Sequence, residues 1–219
     1  MGLALKGVSF AKYLEKKKNC SKNKLNIIIS FIEHKVTLEI CKFLKGFDFE
    51  IRFIPVLDKG IIDIDILKKI LDKDTILLSL SYINNETGII QPIDCVCDLK
   101  KKYKFIFHCD ITASINYGSL SLKRYCIDLA SFSVNKMCGI KGLGGITIKD
   151  FKIIPPLIHG GGHQNNIRSG TENFPAIKVW GEYLKEKFIT YEKDQEKIKL
   201  LDNYCIKAFK KEFGDRVIF

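Results

Sequence analysis

The feature that most constrains the fold of this chain is the alternation of short apolar runs with segments of helical periodicity. Short apolar runs bounded by turn residues are typical of buried strands, whereas apolar residues spaced three and four apart are typical of one helix face. A chain that alternates the two patterns folds as a mostly parallel sheet with helices packed on it. We therefore predict an α/β fold, with a mostly parallel sheet flanked by helices.

The same pattern assigns the individual elements. The predicted strands are Asn26–Phe31, Glu50–Pro55, Thr75–Tyr82, Phe105–His108, Asp128–Ser133 and Gly145–Ile148. The predicted helices are Leu3–Lys17, His34–Leu44, Asp63–Leu71 with Asp63 as N-cap, Ile93–Tyr103 and Pro175–Phe213, and Arg216–Phe219 begins a further strand. Ligands of open α/β sheets bind outside the carboxyl ends of the strands. We therefore expect the functional site where Asp110 and Lys136 follow predicted strands.

Composition narrows the functional classes. A formal net charge of +11 would by itself favour nucleic-acid binding. The lysines are spread along the whole chain, however, and the densest cluster, Lys16–Lys24, has no interleaved aromatic residues to stack on bases. We therefore expect a solvated lysine-rich surface. No apolar run is long enough to cross a bilayer and the first residues lack a secretory signal, so we expect no membrane segment and a cytoplasmic or organelle-matrix location.

The chain has eight cysteines. In a sequence without secretory features, cysteines serve more often as small apolar core residues than as disulfide partners. Cys95 and Cys97 form a C-x-C pair, but side chains two apart on a helix point to different faces, and no second pair follows. We therefore expect neither a disulfide framework nor a metal site.

Two residues at predicted strand ends have side chains suited to cofactor chemistry. Lys136 follows the buried run Asp128–Ser133, where a desolvated lysine presents a neutral amine that attacks an aldehyde. Asp110 follows the run Phe105–His108, and its carboxylate can pair with a protonated ring nitrogen. Each has a plain alternative when taken singly: Lys136 as a surface loop lysine, and Asp110 as a turn or helix-capping aspartate.

Three further segments are ambiguous when read alone. His34 opens a predicted helix, where a histidine is either a functional ring or simply a capping or half-buried side chain. The segment Asn84–Gly88 has the composition of a turn. The segment Gly160–Thr171 is rich in glycine and polar residues, which is also the composition of a flexible connection.

Taken together, these segments form a far more specific combination. They are EHK at 33–35, NNETGIIQPI at 84–93, HCDITAS at 108–114, DLASFSVNK at 128–136 with GIKGLGG after it, and GGGHQNNIRSGTEN at 160–173. In this order they resemble the class V aminotransferase family, and specifically cysteine desulfurases of the NifS/IscS type. The resemblance covers nearly the whole chain. It implies the large domain of a transferase that depends on pyridoxal 5'-phosphate (PLP).

The resemblance also implies a role for each site residue. Lys136 would bind PLP covalently, Asp110 would pair with the pyridine nitrogen, and His34 would stack on the ring. Asn85 would contact the cofactor near its phenolic oxygen, and Ser133 would bind the phosphate.

The implied partners follow from the same family. Thr171 would reach the phosphate held by the other subunit of a homodimer. The substrate would be L-cysteine, whose sulfur passes to an enzyme cysteine and leaves alanine. The resulting persulfide would then serve a sulfur-acceptor or scaffold protein, in iron–sulfur cluster assembly or tRNA thiolation.

Four departures from the family pattern stand against full activity. Ala113 occupies the place of a glutamine that holds the phenolic oxygen, and Asn135 that of a phosphate-binding histidine. The Gly-Ala-Thr phosphate turn and the nucleophilic cysteine have no counterpart here, and Cys138 is a poor match for the latter. We expect residues 1–175 to be an incomplete PLP-binding large domain and residues 176–219 a connecting helix with the start of a small domain. We expect the chain alone to be inactive, and the alternative is a non-catalytic remnant or binding subunit.

Overall fold

The computed structural model of the protein describes residues 1–20, 22–115 and 120–217. Within these ranges the strands are β1 (Asn26–Ser30), β2 (Glu50–Ile54), β3 (Thr75–Ser81), β4 (Ile106–Asp110), β5 (Leu129–Ser133) and β6 (Gly144–Ile148). The helices are α1 (Gly2–Lys18), α2 (Lys35–Lys45), α3 (Ile64–Ile70), α4 (Ile93–Lys102), α5 (Asn135–Cys138) and α6 (Phe174–Phe213). Short 3-10 helices cover Phe151–Ile153 and Gly214–Arg216.

The strands form one sheet in the order β2-β1-β3-β4-β5-β6. The pairs from β2 to β5 are parallel, and β6 pairs antiparallel with β5. The predicted mostly parallel sheet is therefore confirmed. Because the parallel strands point the same way, the residues that follow them gather at one edge of the sheet.

Helices cover both faces of the sheet. Because alternate residues of a strand point to opposite faces, one strand contributes side chains to two separate clusters. Leu78 of β3 packs in one buried cluster that includes Val96 of α4. Leu77, its neighbour in sequence, packs in the other cluster with Leu5 of α1 and Leu44 of α2. All five side chains are completely buried, and burial of a leucine or valine side chain stabilises the fold by about 1.5–3 kcal/mol.

The short helix α3 begins where the sequence predicts. Asp63 is its N-cap, and Oδ1 of this residue accepts hydrogen bonds from the backbone N–H groups of Asp65 (2.9 Å) and Ile66 (3.0 Å). First-turn amides such as these have no helical carbonyl to bond, so the carboxylate satisfies them instead. The predicted capping role of Asp63 is confirmed.

The cysteines depart from the prediction. Cys97 of α4 and Cys126, shortly before β5, form a disulfide bond with their Cα atoms 5.3 Å apart. Because the two residues are 29 apart in the sequence, the contact arises from the tertiary fold and no spacing signals it. The expectation that the cysteines form no disulfide is therefore wrong for this pair. Cys41 and Cys109 are buried as expected, whereas Cys95 is exposed.

The chain divides into two compact units, Met1–Glu172 and Asn173–Phe219. The first contains the whole sheet and helices α1 to α5. The second consists mainly of α6, whose N-cap Asn173 accepts a hydrogen bond from the backbone N–H of Ala176 (3.3 Å). The division of the chain into a large domain over residues 1–175 and the start of a small domain stays a prediction.

The predicted strand at Arg216–Phe219 does not begin at Arg216. Arg216 belongs to a 3-10 helix, so the prediction is wrong at that position, while Ile218 and Phe219 lie outside the described residues. In the described ranges, no helix is both long enough and apolar enough for a bilayer crossing. Nor do three or more histidine, cysteine, aspartate or glutamate side chains of these ranges gather as metal ligands would.

Candidate functional site

A cavity of about 940 Å³ lies at the edge of the sheet where the parallel strands end. The sequence-predicted site residues that line it are His34, Asn85, Asp110, Ser133 and Lys136. Its other polar lining residues are Ser81, Asn84, Thr112, Ser131 and Asn135. The structure thus brings together five of the six predicted site residues, and Thr171 is the one it does not bring there.

Lys136 reaches the cavity because the chain turns sharply after β5. The N–H of the buried Val134 donates to the carbonyl of Leu143 (3.1 Å), and the one-turn helix α5 follows from Asn135. This helix ends at Gly139, whose φ of +76° lies in the left-handed region that glycine adopts without strain. The turn leaves Lys136 exposed on the cavity wall, so the desolvation expected from the sequence is not found.

Asp110 is the last residue of β4 and lies between two serines on the neighbouring strands. Its Oδ1 accepts hydrogen bonds from the backbone N–H (2.9 Å) and the hydroxyl (2.6 Å) of Thr112. Its register partners are Ser81 of β3 and Ser131 of β5, and neither serine donates to it. Thr112 therefore fixes one carboxylate oxygen, Oδ1, and the positively charged amino terminus of Met1, which also lines the cavity, interacts electrostatically with this carboxylate.

His34 is the N-cap of α2. Its Nδ1 accepts a hydrogen bond from the backbone N–H of Val36 (3.1 Å), so this nitrogen is unprotonated in the capped state. The ring is exposed and lines the cavity. The capping interpretation of His34 and its position at a ligand cavity therefore both hold.

The two asparagines of the NNETG segment have different surroundings. Asn84 is buried and builds the turn, because its Oδ1 accepts hydrogen bonds from the N–H groups of Glu86 and Thr87 (both 2.9 Å). Its Nδ2 donates to the carbonyl of Ile32 (3.0 Å) and so ties the turn to the end of β1. Asn85 is exposed and lines the cavity. The first asparagine therefore shapes the turn that presents the second.

Both family departures in the resembling motifs lie on the cavity wall. Ala113 lines it without any hydrogen-bonding side-chain group. The hydroxyl of Ser133 donates to Oδ1 of Asn135, which also lines the wall. In this arrangement the hydrogen of the Ser133 hydroxyl is already used within the protein. A phosphate would have to compete with Asn135 for it.

The glycine-rich segment with Thr171 is an ordered loop rather than a featureless connection. The N–H of Ser169 donates to the carbonyl of Ile158 (3.0 Å), and the N–H of Gly162 donates to the hydroxyl of Ser169 (3.3 Å). Ser169 is buried, whereas Thr171 is exposed and away from the cavity lining. The structure of one chain therefore leaves the role assigned to Thr171 as a prediction.

Sequence reasoning missed a buried glutamate beside His34. The carboxylate of Glu33 accepts hydrogen bonds from the N–H (2.9 Å) and the hydroxyl (2.8 Å) of Ser81. Burial raises the pKa of Glu33 to about 7, and the negative charge of Asp110 adds to this, although the hydrogen bonds from Ser81 oppose it. The carboxyl group of Glu33, which lies behind the cavity wall, therefore changes charge near neutral pH.

It also missed a histidine in the middle of the sheet. His108 of β4 is completely buried, with Nδ1 2.8 Å from the Ser79 hydroxyl and Nε2 2.9 Å from the Ser131 hydroxyl. A signal was present in the sequence, because Ser79 and Ser81 alternate with leucines in the run Thr75–Ser81. Two polar residues spaced two apart in a buried strand point to the same face and need partners there.

The groups that line the cavity fit PLP in part. An amine, a carboxylate, an imidazole and an amide are the functional groups that hold the aldehyde and the ring of this cofactor. They are supplied by Lys136, Asp110, His34 and Asn85. The phosphate side is weaker, because the hydroxyl of Ser133 donates to Asn135. The fit is therefore good for the ring and less complete for the phosphate.

Fold and site together define an α/β protein with a ligand cavity at the carboxyl ends of parallel strands, lined by a lysine and an aspartate. Residues 9–216 match the aminotransferase class-V family, and the chain belongs to that family.

Known proteins of this kind cover most of the chain. It is 38% identical over 213 residues to the cysteine desulfurase IscS of Dictyoglomus turgidum, which is 97% of this chain and 52% of that protein. It is 38% identical over 185 residues to the IscS of Buchnera aphidicola subsp. Schizaphis graminum, covering 84% of this chain and 44% of that protein. A solved NifS-like protein matches with a TM-score of 0.85 and 33% identity over 96% of this chain and 56% of that one. The chain therefore spans about half the length of the relatives it matches.

Proposed function

We propose that this chain is the PLP-binding part of a cysteine desulfurase. The observation that carries the proposal is that Lys136 and Asp110 line one cavity at the carboxyl ends of parallel strands. An ordinary surface loop would not place a lysine and an aspartate from different strand ends in one cavity. The similarity to proteins named cysteine desulfurase IscS supports the choice of reaction.

Three residues would hold the reactive part of the cofactor. PLP, when bound, supplies an aldehyde that condenses with amines and a protonated ring that withdraws electrons. Nζ of Lys136 would bind the aldehyde carbon, and Oδ2 of Asp110 would hold the proton on the ring nitrogen. His34 would cover the ring, with its imidazole kept in place by the hydrogen bond from Val36.

The remaining predicted contacts concern the oxygens of the cofactor. Asn85 would donate to the phenolic oxygen, from a turn that Asn84 stabilises. Ser133 would donate to the phosphate once its hydroxyl turns away from Asn135. Thr171 would reach the phosphate in the other subunit of a homodimer, and its exposed position is consistent with such a contact.

The proposed substrate is L-cysteine, and the proposed reaction passes its sulfur to a protein thiol. The Cβ–S bond breaks, an S–S bond forms, and the thiol proton ends on the methyl group of alanine. No cysteine of the described residues lines the cavity, and Cys138 donates to the carbonyl of Val134 (3.8 Å). We therefore assign the accepting thiol to no residue of this chain. The persulfide would supply a sulfur-acceptor or scaffold protein, in iron–sulfur cluster assembly or tRNA thiolation.

A second candidate function is a PLP-binding or scaffold subunit without turnover. It is favoured by the two departures on the cavity wall, Ala113 and the Ser133–Asn135 hydrogen bond, which both reduce the hold on the cofactor. Alanine formation from L-cysteine in the presence of added thiol would support the enzyme. Retained PLP without alanine formation would support the binding subunit.

Covalent trapping tests the proposal at the level of one residue. The 219-residue chain is incubated with PLP, reduced with borohydride and digested, and the peptides are analysed by mass spectrometry. We expect a reduced PLP adduct on Lys136. The adduct should be absent from that peptide in Lys136→Ala and retained in Lys141→Ala, which removes an exposed lysine outside the cavity lining. Labelling spread over surface lysines, with no preference for Lys136, would refute the proposal.

A further inference from the structure

Three side chains from adjacent strands form a continuous hydrogen-bonded row beneath the cavity. The row runs from the hydroxyl of Ser79 on β3 through the ring of His108 on β4 to the hydroxyl of Ser131 on β5. Ser79 and His108 are completely buried, and Ser131 lines the cavity. In the described part of the chain, the ring is the one hydrogen-bond partner of either hydroxyl.

A count of hydrogens decides the direction of these two hydrogen bonds. A neutral imidazole has one N–H and one acceptor nitrogen, so one serine must donate to the ring and the other must accept from it. The serine that accepts still needs an acceptor for its own hydroxyl hydrogen. Ser79 is completely buried, and the described residues offer its hydroxyl no hydrogen-bond partner besides the ring, whereas an unsatisfied buried donor costs about 1–3 kcal/mol. Ser131 can direct its hydrogen into the cavity.

We propose that His108 carries its proton on Nε2 and thereby makes Ser131 a hydrogen-bond donor into the cavity, beside Asp110. In this arrangement Ser79 donates to Nδ1, and Nε2–H donates to the oxygen of Ser131. The hydroxyl hydrogen of Ser131 then faces the cavity and binds an acceptor atom of the molecule held there. His108 is a positioning residue, because it acts through Ser131 and lies outside the cavity lining.

The neutral state of the ring is secured by its surroundings. Burial lowers the pKa of His108 to about 3, because a charged imidazolium without water around it is strongly disfavoured inside a protein, and the positive charge of the Met1 amino terminus lowers it further. A charged ring would donate to both serines and leave both hydroxyl hydrogens without the ring as acceptor. The single ring proton, and with it the direction of the row, therefore persists throughout the neutral pH range.

The tautomer is measured directly by two-bond ¹H–¹⁵N correlation spectra of the ¹⁵N-labelled chain without cofactor. The other histidines are all exposed, and they are His34, His159 and His163. His108→Gln assigns the buried ring by the loss of its signals. We expect an Nε2–H tautomer whose shifts stay constant between about pH 5 and about pH 8. A proton on Nδ1, or a charged ring in this range, would overturn the proposal.

Binding measurements test the consequence for the cavity, and they rest on the proposed PLP function. Ser131→Ala should raise the dissociation constant of PLP roughly three- to tenfold, the usual net effect of one hydrogen bond. Ser9→Ala is the matched control, because it removes an equally buried hydroxyl that donates to the carbonyl of Leu5. His108→Gln should bind nearly as well as the unaltered chain, since its amide can accept from Ser79 and donate to Ser131.

Equal PLP affinity in Ser131→Ala and Ser9→Ala would also overturn the proposal. Should the unaltered chain bind no PLP, the proposed function fails, and the tautomer, measured without cofactor, still decides the direction of the row.

Discussion

Replacement of Glu33 by glutamine should change how the stability of this protein depends on pH. Glu33 is 6% exposed, and its partners are the N–H and the hydroxyl of Ser81. The substitution keeps the size and shape of the side chain but removes its ability to ionise. Any difference between the pH profiles of the two proteins therefore reports on the charge of Glu33 alone.

The magnitude follows from the pKa of the buried carboxyl group. Burial raises the pKa of Glu33 from 4.5 to about 7, so the folded chain keeps this proton in a range where the unfolded chain has lost it. Stability therefore falls as pH rises from about 4.5 to about 7 and levels off above that. A tenfold change in proton affinity is worth about 1.4 kcal/mol, so the total loss is about 3 kcal/mol. Glu33→Gln escapes this loss.

Urea unfolding at several pH values measures the effect. The free energy of unfolding of Glu33→Gln, relative to the unaltered chain, should rise by about 3 kcal/mol between about pH 4.5 and about pH 8. Glu39→Gln is the matched control, because it removes an exposed glutamate from α2, the helix that follows Glu33, and should give a profile parallel to that of the unaltered chain. A difference for Glu33→Gln that stays constant with pH would refute the reasoning.

Two further predictions concern the disulfide and the phosphate side of the cavity. Cys97→Ser should lower the free energy of unfolding by about 3 kcal/mol under oxidising conditions, because it opens a loop of sequence separation 29. Cys95→Ser, which removes an exposed free cysteine, should change this free energy little. Equal urea midpoints for the two variants would contradict the prediction. Asn135→His should tighten PLP binding roughly tenfold, because it adds a charge-assisted hydrogen-bond donor for the phosphate. An absorbance titration measures the affinity, with Asn135→Ala as the uncharged comparison. Equal affinities of the histidine and alanine variants would exclude a phosphate-binding role for this position.

The parts of the fold that depend on local pattern could be predicted from the sequence. The run Thr75–Tyr82 is apolar and bounded by turn residues, and it forms β3 to within one residue of its predicted end. Asp63 precedes a helical pattern with a side chain that can accept first-turn amides, and it is the cap. Such features depend on neighbours within a few residues, so periodicity and side-chain chemistry are enough to find them.

The missed features all depend on contacts between segments that are far apart in the sequence. His108 is tied to Ser79 and Ser131 because β4 lies between β3 and β5, an order that no periodicity encodes. Cys97 of α4 and Cys126 likewise meet only in the tertiary fold, across a sequence separation of 29. The convergence of Lys136 and Asp110 could be anticipated without the strand order, because the carboxyl ends of parallel strands share one edge of the sheet.

The buried carboxyl group of Glu33 affects which hydrogen-bond donors are left for Asp110. A carboxylate that pairs with a ring nitrogen holds the proton best when few other donors compete for its oxygens, since each added donor lowers its pKa. Ser81, its register partner on β3, is one such donor, and Glu33 takes both its hydroxyl and its N–H. An ionised Glu33 accepts these hydrogen bonds more strongly than a neutral one. Ser81 is therefore least able to donate a hydrogen bond to Asp110 above about pH 7, where Glu33 is ionised.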